Sequence, residues 1–195
     1  MNPLCSRCTT CGLYQQATNY VWGQGNEKSR VVFIGEAPGK EEDLRGLPFC
    51  GRSGALLDQL FAEIGLKREA VRITNTIRCR PPENRIDDRY VDCCEDFLCQ
   101  ELGLCRPQVI VTLGATASTW LQNRTQCEAL GKVATVSRIQ GQAYEIMTLL
   151  GRMIWIPMYH PAAALRDPAR VNDMHNTFQI LHDFLCRLGK LPMPV

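Results

Sequence analysis

Nowhere does the sequence hold a stretch approaching the ~20 apolar residues that a membrane span requires, and the opening MNPLCSRCTTCGL has no apolar core of the kind a secretion signal needs. It also lacks internal repeats, low-complexity tracts and linker-like segments, so residues 1–195 are expected to form one domain. Charge of either sign is barely in excess. The 22 Lys and Arg against 20 Asp and Glu leave a formal net charge of +2, which gives no global pull on a polyanion and confines any nucleic-acid contact to local sites. No G-K-[ST] follows a glycine-rich loop at the spacing of a phosphate-binding P-loop. These absences leave a soluble, cytoplasmic protein without membrane contact as the expectation.

What is present is a chain of 45% hydrophobic residues, enough to bury one substantial core. Short runs rich in β-branched residues at 31–34, 71–77, 109–113 and 154–159 predict buried strands. Between the first two, GALLDQLFAEIGL spaces Leu57, Leu60, Phe61 and Ile64 along one helical face, and Gly65 offers a stop, which makes a βαβ unit. Helical patterns follow at 87–102, 115–121 and 171–188. The last puts Met174, Phe178, Leu181 and Leu185 on one face and leaves His175 and His182 off it as solvated histidines. The alternation predicts a layered α/β sheet. The stretch 123–151 stays open: 136–139 and 143–149 pair around Gly141, or form a strand and a helix.

Ligands of open α/β sheets bind outside the carboxyl ends of the strands, so the informative residues are those that follow each strand. Three such loops are loaded: GEAPGKEEDLRGLPFCGRSG, NTIRCRPPENR and YHPAAALR. In the first, Gly35, Pro38 and Gly39 allow tight turns and close backbone approach, and Glu36, Asp43 and Phe49 share the segment. Eleven cysteines in a reducing compartment are not a disulfide framework, so metal ligation is the better reading of the clustered ones. Cys8 and Cys11 form a C-x-x-C, as do Cys5 and Cys8; Cys79 follows the second strand, and Cys94 lies beside Cys93 on the next helix. Zinc and an iron-sulfur cluster both suit four thiolates. Cys50, Cys99, Cys105, Cys127 and Cys186 read as small buried hydrophobes or bystanders.

The three loops, in this order, resemble the three signatures of the family 4 uracil-DNA glycosylases, and the likeness runs from Cys8 to Asp167. The resemblance implies a three-layer α/β sandwich with a central four-stranded parallel sheet flanked by helices. It implies a DNA repair enzyme that acts on uracil-containing DNA as a monomer, flips the base out, hydrolyses its N-glycosidic bond and leaves an abasic site. A [4Fe-4S] cluster on Cys8, Cys11, Cys79 and Cys94 is implied too, pinning the N-terminal segment, with Cys5 and Cys93 as the alternatives. Related enzymes that trap DNA covalently insert a basic loop with a His after the second strand; Arg-Pro-Pro-Glu follows Cys79 here, so turnover is expected. The chain departs from the family frame at Cys50, where Val is usual, and at Glu83, where Gly is usual.

An enzyme that works on a base inside a duplex must extrude it and then hold it by stacking and by its hydrogen-bonding edge. Phe49 is the expected platform, with Ala37 at the base. Asn75 offers the donor and acceptor that match O4 and N3–H of uracil and oppose those of cytosine. His160 is expected to donate to O2 as charge develops there, and Glu36 or Asp43 to orient the attacking water. Leu165 and Arg166 resemble a wedge and a contact to the opened DNA, and Arg52, Ser53 and Arg85 are candidate phosphate contacts.

Overall fold

The computed structural model describes residues 8–125, 127, 130 and 134–189. Its strands are β1 (Gln24–Gly25), β2 (Val31–Gly35), β3 (Arg72–Asn75), β4 (Val109–Leu113), β5 (Tyr144–Thr148) and β6 (Gly151–Met158), in the sheet order β1-β3-β2-β4-β6-β5. The four expected strands, β3, β2, β4 and β6, pair parallel, and β2 and β4 are buried at every position, as strands covered on both faces must be. Two antiparallel edges extend this core: β1 on β3, and β5 on β6 through a tight turn at Thr148–Gly151. Among the described residues the sheet therefore has six strands, with the expected four parallel ones at its centre.

Helices α1 (Lys40–Arg45), α2 (Arg52–Glu63), α3 (Asp88–Cys105), α4 (Ala115–Gln122), α5 (Val136–Ile139), α6 (Pro161–Ala164) and α7 (Pro168–Arg187) connect and flank the strands. Alternate strand residues feed two cores. Phe33, Val111 and Ile156 pack with Leu57, Leu60 and Phe61 of α2 and with Phe178 and Leu181 of α7. On the other face, Val32, Ile110 and Trp155 pack with Leu98 of α3 and Trp120 of α4. The stretch left open in the sequence resolves in a third way: 136–139 is one helical turn, and 143–149 supplies β5, whose partner lies across the turn that follows it and not around Gly141. The expected helix at 171–188 begins three residues earlier, where Asp167 caps it by accepting from Ala169 N–H at 3.1 Å and Pro168 opens the first turn. His175 sits on the exposed side, 2.6 Å from Glu63, whereas His182 is largely covered. Among the described residues no helix is long and apolar enough to cross a membrane.

Under β3 lies a buried charge network. Glu101 of α3 accepts from Arg72 at 2.6 Å, from Arg78 at 2.7 Å and from Thr74 at 2.8 Å. Burial works to raise its carboxyl, but Arg78, Arg72 and Thr74 outweigh that and hold it below the ordinary glutamate range. The network fixes the start of the Arg78–Cys79 segment that leaves the sheet.

Glu83, where the resembling family carries Gly, has φ +52 and ψ +19, a left-handed conformation in which a Cβ crowds the backbone. Its side chain is exposed and reaches only the equally exposed Arg85, at 3.3 Å. Relief of backbone strain should therefore outweigh the lost ion pair. Glu83→Gly is expected to raise stability by about 1 kcal/mol, read as a higher urea midpoint; an unchanged or lower midpoint would refute the strain.

Candidate active site

Loops leaving β2, β3 and β6 at their carboxyl ends enclose a cleft of about 590 Å³. Its walls include Glu36, Ala37, Phe49, Arg52, Ser53, Asn75, His160 and Arg166, so eight of the expected residues, from all three loaded loops, meet around one space. Leu165 stands exposed beside Arg166, at the end of α6. Arg85 is exposed near Asn84 and Ile86, which do line the cleft. Asp43 is not brought in: its Oδ1 accepts from the backbone N–H of Thr18 at 2.9 Å and of Asn19 at 3.3 Å, which ties the N-terminal segment to α1.

Phe49 is held in a conformation that a non-glycine residue adopts rarely, with φ +50. Two contacts that sequence reading missed hold it there. Arg68, ion-paired with Asp58 at 2.7 Å, donates to the carbonyls of Pro48 at 2.7 Å and Phe49 at 3.0 Å. Glu42 accepts from Cys50 N–H at 3.0 Å and from Gly51 N–H at 2.9 Å, closing the loop just before α2. The Phe49 ring then lies 5.7 Å from the His160 ring, centroid to centroid, and against Gly35. A Cβ on Gly35 would stand 2.4 Å from Asn75 Oδ1 and 2.5 Å from Phe49 Cζ, so only glycine leaves room for both the ring and the amide.

Asn75 ends β3 at 2% exposure, and its Oδ1 is buried without a hydrogen-bond partner among the described residues. An orphaned buried acceptor is costly unless something else supplies the donor. His160 leaves β6 and caps α6, where its Nδ1 accepts from Ala162 N–H at 3.1 Å. That bond puts the ring proton of neutral imidazole on Nε2. Part of the side chain stays accessible from the cleft, while burial on the other sides pushes its pKa down to about 4, against a weaker opposing pull from Glu42. Glu36 Oε2 accepts from Thr116 at 2.7 Å. The arrangement thus offers an aromatic face, an unmatched amide, a neutral N–H donor and an anchored carboxylate to one small planar ligand.

A second group lies where the chain leaves β3. Cys8 and Cys11 are partly exposed, Cys79 and Cys94 buried. Burial pushes the Cys79 thiol up to about 12, with Cys94, Cys11 and Cys8 adding to the rise. Cys94 goes up to about 11, again chiefly by burial, with Cys11 and Cys8 contributing. Cys93 acts on Cys11, and Cys5 lies outside the described residues. Among the described residues no three His, Cys, Asp or Glu are gathered tightly enough to hold a single metal ion. The segment bearing Cys8 is tied down by Tyr20, whose hydroxyl donates to Cys8 O at 2.8 Å, and by Val21 N–H, which donates to Arg78 O at 2.8 Å.

Residues 22–184 match the Uracil DNA glycosylase superfamily. The chain is 43% identical over 173 residues to the type-4 uracil-DNA glycosylase of Archaeoglobus fulgidus, an alignment spanning 88% of this chain and 85% of that one. It is 40% identical over 162 residues to the type-4 enzyme of Thermotoga maritima, covering 83% and 79% of the two chains. With the type-4 enzyme of Saccharolobus solfataricus it shares 38% over 164 residues, 83% of this chain and 74% of that one. The chain belongs to the uracil-DNA glycosylase superfamily and, within it, to the type-4 uracil-DNA glycosylases.

Proposed function

We propose that this chain excises uracil from DNA by enclosing the flipped base between the loops of β2, β3 and β6 and hydrolysing its N-glycosidic bond. The observation that carries the reading is the orphaned Asn75 Oδ1, buried beside the Phe49 ring in a cleft that His160 also lines. The base stacks on Phe49. Asn75 accepts from N3–H through Oδ1 and donates to O4 through its amide nitrogen, whereas cytosine would set acceptor against acceptor and donor against donor. Leaving a buried polar atom unmatched is the stronger basis of discrimination.

As the glycosidic bond breaks, its electron pair goes to the pyrimidine and positive charge grows on the sugar. The Nε2–H of His160 stabilises the oxygen that becomes negative, O2, and as a neutral donor it keeps its proton. Glu36 orients the water whose oxygen adds to the sugar carbon; the proton that water gives up passes to solvent, and uracil leaves as the anion, which solvent then protonates. Asp43 is left to brace the N-terminal segment. Arg52, Ser53 and Arg166 are read as contacts to the DNA at the mouth of the cleft, with Leu165 and Arg85 on its rim. The enzyme is read as a monomer that acts in the cytoplasm.

The resemblance to the type-4 enzymes favours a [4Fe-4S] cluster over a zinc ion, and four thiolates are a ligand set that suits it. Cys8, Cys11, Cys79 and Cys94 would hold it. When bound, it supplies a cross-link between the N-terminal segment and the exit of β3.

Asn75→Ala and His160→Ala are each expected to slow release of uracil from a labelled oligonucleotide by about 100-fold, the usual consequence of losing one preorganised group; wild-type rates in either would remove its assigned role. Because His160 protonates only near pH 4, its loss of function should begin well below the ordinary histidine value of 6.5. The pH-rate profile is expected to stay level from about pH 7.5 to 5.5, and a limb centred near 6.5 that disappears in His160→Ala would contradict the assignment. Cys79→Ala should yield protein with little or no iron by metal analysis and a lower melting temperature, whereas full iron content would exclude Cys79 as a ligand.

A further inference from the structure

The chemistry above draws on the loops after β2, β3 and β6, yet β4 lies between β2 and β6 in the sheet. Its own exit turn, Gly114–Ala115–Thr116, touches the catalytic groups on both sides. Gly114 has φ +94, and a Cβ there would lie 3.0 Å from His160 Cβ. Thr116 donates its hydroxyl proton to Glu36 Oε2 at 2.7 Å across 80 residues of sequence. Thr116 does not itself line the cleft, so it meets the carboxylate from behind.

We infer that Thr116 is the positioning residue for the water-orienting carboxylate, an inference that rests on the assignment of the water to Glu36. The turn that carries Thr116 is rigid for identifiable reasons. Gly114 N–H donates to Met158 O at 2.9 Å, Ser118 Oγ donates to Gly114 O at 2.8 Å, and Thr112 Oγ1, 2.9 Å from Ser118 Oγ, also accepts from Trp155 at 2.7 Å. Thr116 is β-branched and lies in the first turn of α4, which confines its hydroxyl to two preferred rotamers, one of which points it at Glu36. The first turn of a helix also favours a nearby anion.

The other end of Glu36 is fixed independently. Its carbonyl accepts from Thr76 Oγ1 at 2.7 Å and from Ile77 N–H at 3.0 Å. With the backbone pinned to the exit of β3 and one carboxylate oxygen pinned to α4, the remaining oxygen has a set direction from which to accept a proton of water. The β4 turn thus references the two halves of the reaction to each other: the donor for the leaving base packs on Gly114, and the carboxylate for the incoming water hangs from Thr116.

The test compares Thr116→Val, Thr116→Ser, Glu36→Gln and the Thr116→Val/Glu36→Gln double variant. Each is read by single-turnover uracil excision and by affinity for DNA carrying a 2′-fluoro-deoxyuridine that resists cleavage. Valine matches threonine in shape and Thr116 is only half-buried, so the variants fold. Thr116→Val is expected to slow excision about tenfold or more, the range for a lost hydrogen bond to a charged group. Affinity for the uncleaved DNA should change less than about twofold, the mark of an interaction used after binding. Thr116→Ser should recover excision to within about threefold of wild type, and Thr116→Val should cost less than about twofold once Glu36 is already Gln. A slow Glu36→Gln beside a wild-type Thr116→Val would overturn the role of Thr116 and leave that of Glu36 standing. The full Thr116→Val penalty recurring in the double variant would also overturn it, by tracing the loss to the packing of α4. Wild-type excision by Glu36→Gln would overturn both the water assignment and this inference.

Discussion

A single methyl group at Gly35 would stand 2.4 Å from Asn75 Oδ1 and 2.5 Å from the Phe49 ring, and the rest of the site depends on its absence. The last residue of β2 is where an aromatic ring from one loop and an amide from the neighbouring strand both occupy the space a side chain would need. Neither could approach a common ligand from farther apart. Around that space the protein fixes what would otherwise be soft. Arg68 and Glu42 bind the backbone of the Phe49 loop, β3 delivers Asn75 at its final register position opposite Gly35, and β6 delivers His160 as a helix cap. The parallel sheet is therefore a device for aligning three turns, and burial of its strands on both faces keeps that alignment stiff.

Electrostatics then decide what the aligned groups do. His160 spends Nδ1 on Ala162 and lies where charging is costly, so what it presents to the cleft is a neutral N–H and not a cation. Asn75 keeps an acceptor buried and unmatched, which penalises the empty or wrongly filled site more than it rewards a loose fit. Neither device needs large net charge, in keeping with a chain whose formal charge is only +2. The Asp43 contacts and the ties around Cys8 serve another purpose, since both fasten the N-terminal segment to the frame from which the catalytic loops depart.

Much of this was legible in the residues. The runs at 31–34 and 109–113 read as buried strands because they are short and dense in β-branched residues, and in the structure both are buried throughout. The edges were not legible. β1 is two residues long and carries no periodicity, and β5 alternates buried and exposed residues in a segment whose composition suits a helix as well. In the site, Asn75 and His160 stood out as polar residues at or just beyond the ends of β3 and β6, and Phe49 as an aromatic in the glycine-rich loop that follows β2. Arg68, Glu42 and Thr116 did not, because their partners are backbone groups or side chains far away in sequence. Asp43 and Glu42 illustrate the limit: adjacent on one short helix, they point roughly 100° apart, so one braces the Phe49 loop and the other faces Thr18 and Asn19. Only the folded chain separates them.

The central claim is that one pyrimidine touches the Phe49 ring, the Asn75 amide and His160 Nε2 at once. A crystal structure of the protein with DNA carrying 2′-fluoro-deoxyuridine measures this directly. The flipped base is predicted to stack on Phe49, with N3–H and O4 within about 3.0 Å of the Asn75 amide and O2 within about 3.0 Å of His160 Nε2. A flipped uracil seated elsewhere, or seated in the cleft without those three contacts, would contradict it.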